Sequence, residues 1–179
     1  MSNQLPHGLS PAVIPWLEAN IAGAKGPFDF TMIAGGHSNL TFGMVDGNGR
    51  KYVLRRPPLG HVLASAHDMG REHRIIHALR DTDVPVAPAL AMCSDPAVNG
   101  APFYVMGFVD GHVVRDAAIA ERVLTETARR NASESLIDTM AAIHAVDIHA
   151  VGLADLAKHE SYIARQLKLW YGQFNAQDR

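Results

Sequence analysis

Ile33-Ala-Gly-Gly-His-Ser-Asn-Leu-Thr-Phe42 places adjacent glycines between two β-rich runs. Glycine lacks a Cβ, so a glycine-rich turn can bring backbone N–H groups close to phosphate oxygens. Ser38 and Asn39 add side-chain donors to the same turn. Taken alone, a glycine pair between strands is more often a simple hairpin. The interpretation therefore depends on residues further along the chain.

A cation and a carboxylate come after the glycine turn in order. Arg55 lies on the next β-rich run, where strand alternation directs it to the same side as Val53. A cation at this place can pair with the α- and β-phosphates of a nucleotide. Glu72 lies on a helical segment and can hold the guanidinium through a bidentate ion pair. The alternatives are that Arg55 and Arg56 are solvated strand-end charges and that Glu72 belongs to an ordinary exposed helix face.

The hydrophobic pattern predicts an α+β fold with a five-stranded antiparallel sheet and one inserted helix. An amphipathic helix comes first, starting at Ser10-Pro11 and stopping at Gly23. Asp46-Gly-Asn-Gly49 predicts a tight hairpin turn, since these residues tolerate positive φ. The predicted strands span residues 29–34, 40–45, 51–55, 86–93 and 102–109, and the inserted helix spans residues 64–80.

Helical character takes over at Asp110, which gives three predicted segments: residues 1–27 as an N-terminal helix, 28–109 as a nucleotide-binding lobe and 110–179 as part of a helical lobe. Helices are predicted over residues 121–130, 133–146 and 159–170. The middle helix is expected to pack one side against the protein, with a hydrogen-bonded core histidine at its end. That side comprises Leu136, Ile137, Met140, Ile143 and His144.

Composition excludes several classes of protein. The 179 residues carry a formal net charge of -2, which gives no basic field for nucleic acid. Cys93 is the only cysteine, so no disulfide framework or thiolate metal cluster is predicted and this residue is expected to be buried. The sequence shows neither a secretory leader nor an apolar run long enough to cross a bilayer. We therefore expect a cytoplasmic protein without a membrane partner.

A zinc site is a weaker candidate. His73 and His77 are spaced four residues apart on the predicted helix, a spacing that can bind zinc, but no third ligand is evident. A surface or interface histidine pair is the simpler interpretation. The sequence also lacks the glycine patterns of P-loop enzymes and of dinucleotide folds.

Several motifs together resemble the aminoglycoside phosphotransferase family, which has a protein-kinase-like fold. The branch that they resemble most is the phosphotransferase domain associated with acyl-CoA dehydrogenases. The motifs are Gly-Gly-His-Ser-Asn-Leu-Thr at 35–41, Tyr-Val-Leu-Arg-Arg-Pro-Pro at 52–58, Arg-Glu-His-Arg-Ile-Ile-His-Ala-Leu at 71–79, Val-Pro-Val-Ala-Pro at 84–88, Phe-Tyr-Val-Met-Gly-Phe-Val-Asp-Gly at 103–111 and Ile-His-Ala-Val-Asp at 143–147.

The resemblance implies roles for individual residues. The cover over the ATP phosphates would consist of Gly35, Gly36, His37, Ser38 and Asn39. Arg55 would replace the usual strand lysine, with Glu72 as its helix partner. Met106 would line the adenine pocket, and the Gly107 carbonyl and Val109 amide would be the hinge hydrogen-bonding groups. Mg²⁺ would bridge the phosphates, and its protein ligands lie outside this chain.

The resemblance also makes one absence important. Phosphoryl transfer in this fold uses an aspartate in a His-Gly-Asp or His-Arg-Asp loop, a nearby asparagine and a later metal-binding aspartate. The 179 residues contain no such loop, so we expect a C-terminally truncated chain that is inactive by itself, and the sequence assigns no catalytic residue. One hypothesis is an ATP-dependent phosphotransferase acting on a small-molecule hydroxyl. The other is a non-catalytic nucleotide-binding or interaction module, or a decayed fragment. Incompletely covered surface near Trp170 and Tyr171 would favour self-association.

Overall fold

The computed structural model describes residues 5–6, 8–33, 39–58, 68–156 and 161–177. Five strands and six α-helices lie within these ranges. The strands are β1 (Asp29–Met32), β2 (Leu40–Val45), β3 (Lys51–Arg56), β4 (Ala89–Cys93) and β5 (Phe103–Gly107). The helices are α1 (Val13–Asn20), α2 (Met69–Leu79), α3 (Pro96–Asn99), α4 (Ala117–Val123), α5 (Glu126–Ala145) and α6 (Tyr162–Gln177).

The five strands form one antiparallel sheet in the order β1-β2-β3-β5-β4. The predicted α+β fold, with α2 inserted between β3 and β4, is confirmed. The register matters for the site, because Arg55 of β3 pairs with Thr41 of β2 on one side and with Tyr104 of β5 on the other. Three chemically distinct side chains are thereby placed in a row across the sheet.

The two faces of the sheet have different roles. Successive residues of a strand point to opposite faces, and one face carries the apolar side chains that pack with α1. This core contains Leu17 from the helix and Phe42, Leu54, Phe103 and Val105 from the sheet, all buried. Arg55 and Val53 both lie on the opposite face, as predicted. On that face α2 packs against β4 and β5. Among the described residues, α1 therefore packs on one face of the sheet and α2 on the other.

Arg56 differs from its neighbour, because alternation turns it toward the α1 side, where it is only 5% exposed. Its Nε donates to the Pro57 carbonyl at 3.1 Å, and its Nη1 donates to the carbonyls of Gly8 and of Asn99, the latter at 3.2 Å. Burial lowers the pKa of the guanidinium. The interpretation of Arg56 as a solvated strand-end charge is therefore wrong, and this arginine joins the N-terminal segment to α3.

The predicted hairpin turn between β2 and β3 is confirmed, with the Gly49 amide donating to the Asp46 carbonyl at 2.9 Å. The buried Asp46 carboxylate accepts hydrogen bonds from the Asn48 and Arg50 amides and from the Tyr52 hydroxyl. Burial by itself raises the pKa of Asp46, but these hydrogen bonds outweigh it and hold the pKa below its usual value. The turn is thus fixed by an ionised carboxylate.

Gly47 in this turn approaches the segment before β1, and its amide donates to the Lys25 carbonyl at 2.7 Å. A Cβ added at Gly47 would lie 2.5 Å from the Gly26 carbonyl oxygen, which is backbone and cannot turn aside. We expect Gly47→Ala to lower the free energy of unfolding by about 1–3 kcal/mol, measured by denaturant titration. Gly43→Ala is the matched control, because the nearest atom to its Cβ would be 3.8 Å away. Equal losses in the two variants would contradict the steric explanation.

Three helical predictions need correction. The predicted break between residues 130 and 133 is absent, and α5 runs unbroken from Glu126 to Ala145. The chain breaks earlier, where the Thr125 hydroxyl accepts a hydrogen bond from the Ala128 amide and caps α5. His144 is exposed rather than a core histidine. The apolar side of α5 is also exposed: Leu136 61%, Ile137 64%, Met140 48% and Ile143 50%.

Cys93 is buried, as predicted.

By its internal contacts the chain divides into two units, Met1–Val146 and Asp147–Arg179. The division at residues 27 and 109 stays a prediction. In the described ranges, no helix is long and apolar enough to span a bilayer.

Candidate functional site

The centre of the site is the carboxylate of Glu72, which lies in the first turn of α2. The Asp68 side chain caps this helix by accepting from the Arg71 amide at 2.9 Å. Glu72 Oε2 accepts hydrogen bonds from Arg55 Nε at 2.8 Å and from the Tyr104 hydroxyl at 3.1 Å. Its Oε1 accepts from Asn39 Nδ2 at 2.9 Å. One carboxylate therefore joins α2 to β3, to β5 and to the residue that precedes β2.

The Arg55 guanidinium is held by two partners but stays accessible. Its Nε pairs with Glu72, while its Nη1 donates to Thr41 Oγ1 at 3.3 Å. The expected bidentate pair is therefore not formed, because the second arm of the fork points to the neighbouring strand. The side chains of Arg55 and Glu72 are 31% and 34% exposed. An oriented cation with part of its surface open to solvent is suited to binding an anionic group.

The structure describes only the last residue of the predicted glycine turn, Asn39. Gly35, Gly36, His37 and Ser38 lie outside the described residues, so their predicted contacts with phosphate remain predictions. Asn39 is described and is only 5% exposed. Its side-chain amide donates to Glu72, which places the end of the predicted turn beside the Arg55–Glu72 pair.

The predicted adenine and hinge residues lie at the end of β5. Met106 is half-buried and pairs with Val53 of β3 and with Ala89 of β4. The Gly107 amide donates to the Pro88 carbonyl at 2.8 Å. Val109 is 69% exposed and follows the last residue of the strand by two positions. Contact of these residues with a nucleotide base stays a prediction.

Tyr104 and Thr41 belong to the site, and sequence reasoning missed both. Tyr104 is 2% exposed, and burial, followed by the nearby Glu72 charge, raises the pKa of its hydroxyl. The phenol therefore remains protonated and acts as a donor. Its position next to Arg55 depends on the pairing of β3 with β5, which lie far apart in the chain. The alternation of residues 103–107 was a usable signal, but only with that register known.

His73 and His77 form a stacked pair with ring centroids 5.9 Å apart, and the His73 ring meets the Tyr104 ring edge-on at 6.0 Å. Burial, and secondarily the charge of His77, lowers the pKa of His73. His73 therefore packs next to Tyr104, whereas His77 is exposed. Within the described parts of the chain, no three histidine, cysteine or acidic side chains are grouped closely enough to hold a metal ion.

Comparison with known proteins identifies the family. A model described as the phosphotransferase enzyme family matches residues 29–178, which is most of the chain. The chain belongs to this family. The resemblance seen in the sequence motifs is thereby confirmed.

Known phosphotransferase-like structures and relatives agree with this. A crystal structure from Ralstonia eutropha JMP134, described as a candidate aminoglycoside phosphotransferase, is 34% identical, covers 92% of this chain and has a TM-score of 0.73. Acyl-CoA dehydrogenase family member 11 of Gallus gallus is 36% identical over 84% of the chain. Acyl-CoA dehydrogenase family member 10 of Mus musculus is 34% identical over 86% of the chain. The kinase-like fold of the phosphotransferase family is thus confirmed for this chain.

The chain spans only part of the proteins that it matches. It corresponds to 46% of the Ralstonia chain, to 19% of the Gallus protein and to 14% of the Mus protein. More than half of each of those proteins therefore lies outside the matched part.

Proposed function

We propose that this chain supplies the nucleotide-binding part of an ATP-dependent phosphotransferase that acts on a hydroxyl group of a small molecule. The observation that carries the proposal is the Arg55–Glu72 pair, with its 2.8 Å contact and its accessible guanidinium. A carboxylate that orients a cation next to a glycine-rich turn supports phosphate binding, because phosphoryl transfer depends on positioned positive charge. Family membership supports the type of reaction.

In this proposal, ATP extends along the end of the sheet. Arg55 pairs with the α- and β-phosphates, and backbone N–H groups from Gly35 to Asn39 cover them, aided by the Ser38 hydroxyl. The adenine lies beside Met106, with the Gly107 carbonyl and the Val109 amide as hydrogen-bonding groups. Arginine in place of a lysine retains the charge and adds a planar fork, so the phosphate geometry differs from that of lysine-bearing relatives.

Magnesium is the cofactor that this reaction would use. Mg²⁺ prefers oxygen ligands in near-octahedral geometry and usually binds through carboxylates and substrate phosphates. Both oxygens of Glu72 already accept hydrogen bonds from Arg55, Tyr104 and Asn39. Glu72 therefore does not fit as a magnesium ligand, and we propose that the protein ligands of Mg²⁺ lie outside the residues that the structure describes, among which no three histidine, cysteine or acidic side chains are grouped closely enough to hold a metal ion.

The substrate is proposed only as a class. The Ralstonia structure is described as a candidate aminoglycoside phosphotransferase, whereas the Gallus and Mus relatives are named acyl-CoA dehydrogenase family members. A polar aminoglycoside and a hydroxylated acyl metabolite both offer a hydroxyl group to be phosphorylated. A cytoplasmic location would suit either substrate.

Calorimetric titration of the chain with ATP and Mg²⁺ tests the proposal. We expect binding by the parent and at least ~10-fold weaker binding by Arg55→Ala, because the variant loses a charged partner of the phosphates. Arg122→Ala, which removes an exposed arginine from α4, is the control and should bind as the parent does. Absence of binding by the parent, or equal binding by Arg55→Ala, would reject the proposed site.

A non-catalytic nucleotide-binding or interaction module, or a decayed fragment, is the second candidate. In this alternative the glycine turn and the Arg55–Glu72 pair bind a nucleotide but no phosphoryl group is transferred. Reading the gene downstream of codon 179 separates the two. An in-frame His-Gly-Asp followed by asparagine and a later aspartate supports the enzyme, whereas a stop codon supports the module or the fragment.

We also propose self-association through the exposed side of α5. Leu136, Met140 and Ile143 follow the i, i+4, i+7 spacing of one helix face and are each about half exposed or more. We expect sedimentation velocity to show mass increasing with concentration, and Met140→Lys to give a monomer. Asn131→Lys places the same side chain on the opposite face and should behave as the parent does. A parent that stays monomeric at every concentration would contradict the proposal.

A further inference from the structure

The Glu72 carboxylate is fixed on both of its oxygens. Oε2 accepts from Arg55 Nε and from the Tyr104 hydroxyl, and Oε1 accepts from Asn39 Nδ2 at 2.9 Å. A carboxylate held on one oxygen can rotate about its last torsion, since that torsion is soft. Glu72 cannot rotate in this way without breaking the bond to Asn39.

The two additional donors are well suited to holding a charged group in place. Tyr104 and Asn39 are both buried, at 2% and 5% exposure, so their hydrogen bonds to Glu72 compete little with water. Hydrogen bonds to an ionised group are also stronger than neutral ones. Arg55 and Glu72 are themselves partly exposed, and an exposed ion pair by itself fixes geometry poorly.

We propose that Tyr104 and Asn39 are positioning residues for nucleotide binding: they fix Glu72, and Glu72 in turn fixes the Arg55 guanidinium toward the phosphates. This role rests on the nucleotide site proposed above. Asn39 adds a second effect, because it directly follows residues 34–38. Asn39, at the end of the glycine turn, and Arg55 are thereby held by the same carboxylate.

Tyr104→Phe is the sharpest variant, because it removes only the hydroxyl and retains the ring that packs against His73. Tyr52→Phe is its matched control. Tyr52 is also buried in this sheet, and its hydroxyl also donates to a carboxylate, Asp46 Oδ2 at 3.2 Å, on the other side of the sheet. Asn39→Ala tests the second anchor, and thermal unfolding of each variant reports whether it folds.

Affinities for ATP, ADP and AMP with Mg²⁺ should be measured by calorimetry for the parent and each variant. We expect Tyr104→Phe and Asn39→Ala to weaken ATP and ADP binding by about 3- to 10-fold each. AMP lacks the β-phosphate, so its affinity should fall less in these two variants. Tyr52→Phe should leave all three affinities within about 2-fold of the parent.

Combination with Arg55→Ala separates positioning from a merely structural role. A residue that acts through Arg55 has no effect when Arg55 is absent, so Tyr104→Phe should leave ATP affinity unchanged in the Arg55→Ala background. Two results would overturn the inference while the nucleotide site stands. One is that Tyr104→Phe lowers ATP affinity equally in both backgrounds. The other is that Tyr104→Phe does not lower ATP affinity although the parent binds ATP through Arg55. A parent that binds no ATP would overturn both.

Discussion

Arg56→Ala is expected to destabilise the protein by about 2–4 kcal/mol. The substitution removes a buried guanidinium that donates to the carbonyls of Pro57, Gly8 and Asn99, and it leaves those acceptors without this donor. A buried acceptor that loses its donor costs about 1–3 kcal/mol. Denaturant unfolding monitored by tryptophan fluorescence measures the change, since Trp16 packs edge-on against Phe103 in the same core.

Arg55→Ala is the natural comparison, because it removes the same side chain from the adjacent position. Arg55 is partly exposed, and a partly exposed ion pair contributes about 0–1 kcal/mol. We therefore expect a small loss of stability at position 55 and a large one at position 56. Arg56→Lys should recover only part of the loss, since a single ammonium does not reproduce the planar fork. A stable Arg56→Ala variant would show that the contacts of Arg56 contribute little.

Glu72→Gln is expected to weaken ATP binding at least ~10-fold. The amide has nearly the same size as the carboxylate, but it cannot pair with the charge of Arg55. The guanidinium then keeps its 3.3 Å contact with Thr41 Oγ1, and any hydrogen bond that it makes to the amide oxygen is a weaker one without the ion pair. Removal of a negative charge near phosphates acts in the opposite direction. At physiological salt this charge effect is screened over about 8 Å, so we expect the lost orientation of Arg55 to determine the change in ATP affinity.

The control for this variant is Glu126→Gln, which removes an exposed carboxylate from the first turn of α5. It should bind ATP as the parent does. Titrations at low and physiological salt separate the two opposing effects of Glu72→Gln, since only the charge effect is strongly dependent on salt. Tighter ATP binding by Glu72→Gln at physiological salt would show that Glu72 opposes phosphate binding instead of preparing Arg55 for it.

The sequence was sufficient for the sheet, because strands and turns leave local signals. Alternation and the Asp46–Gly49 turn predicted β2 and β3 closely. Strand ends were less accurate: β4 begins at Ala89 and β5 ends at Gly107, inside their predicted ranges. Pairing ends where the chain bends away, and this depends on tertiary contacts that no local pattern records.

The site was only partly predictable for a similar reason. The order of a glycine turn, a strand cation and a helix carboxylate suggested Arg55 and Glu72, but not the hydroxyl of Tyr104. That contact needs the register between β3 and β5, whose paired residues lie about fifty positions apart. The burial of Arg56 was missed because a basic pair at a strand end usually points to water. Thr125 was missed as a helix cap because the sequence pattern predicted one helix over residues 121–130, which runs across this position.

Similarity and folding place the start of this domain at different residues. The family match begins at residue 29, the first residue of β1, whereas the helix that covers the apolar face of the sheet spans residues 13–20. An expression fragment cut at the homology boundary would uncover Phe42, Leu54 and Phe103 and remove the Gly8 carbonyl that Arg56 binds. The segment that the family model matches is therefore shorter than the segment that must be synthesised to keep this face of the sheet out of water, whereas the Ralstonia match, which covers 92% of the chain, extends further.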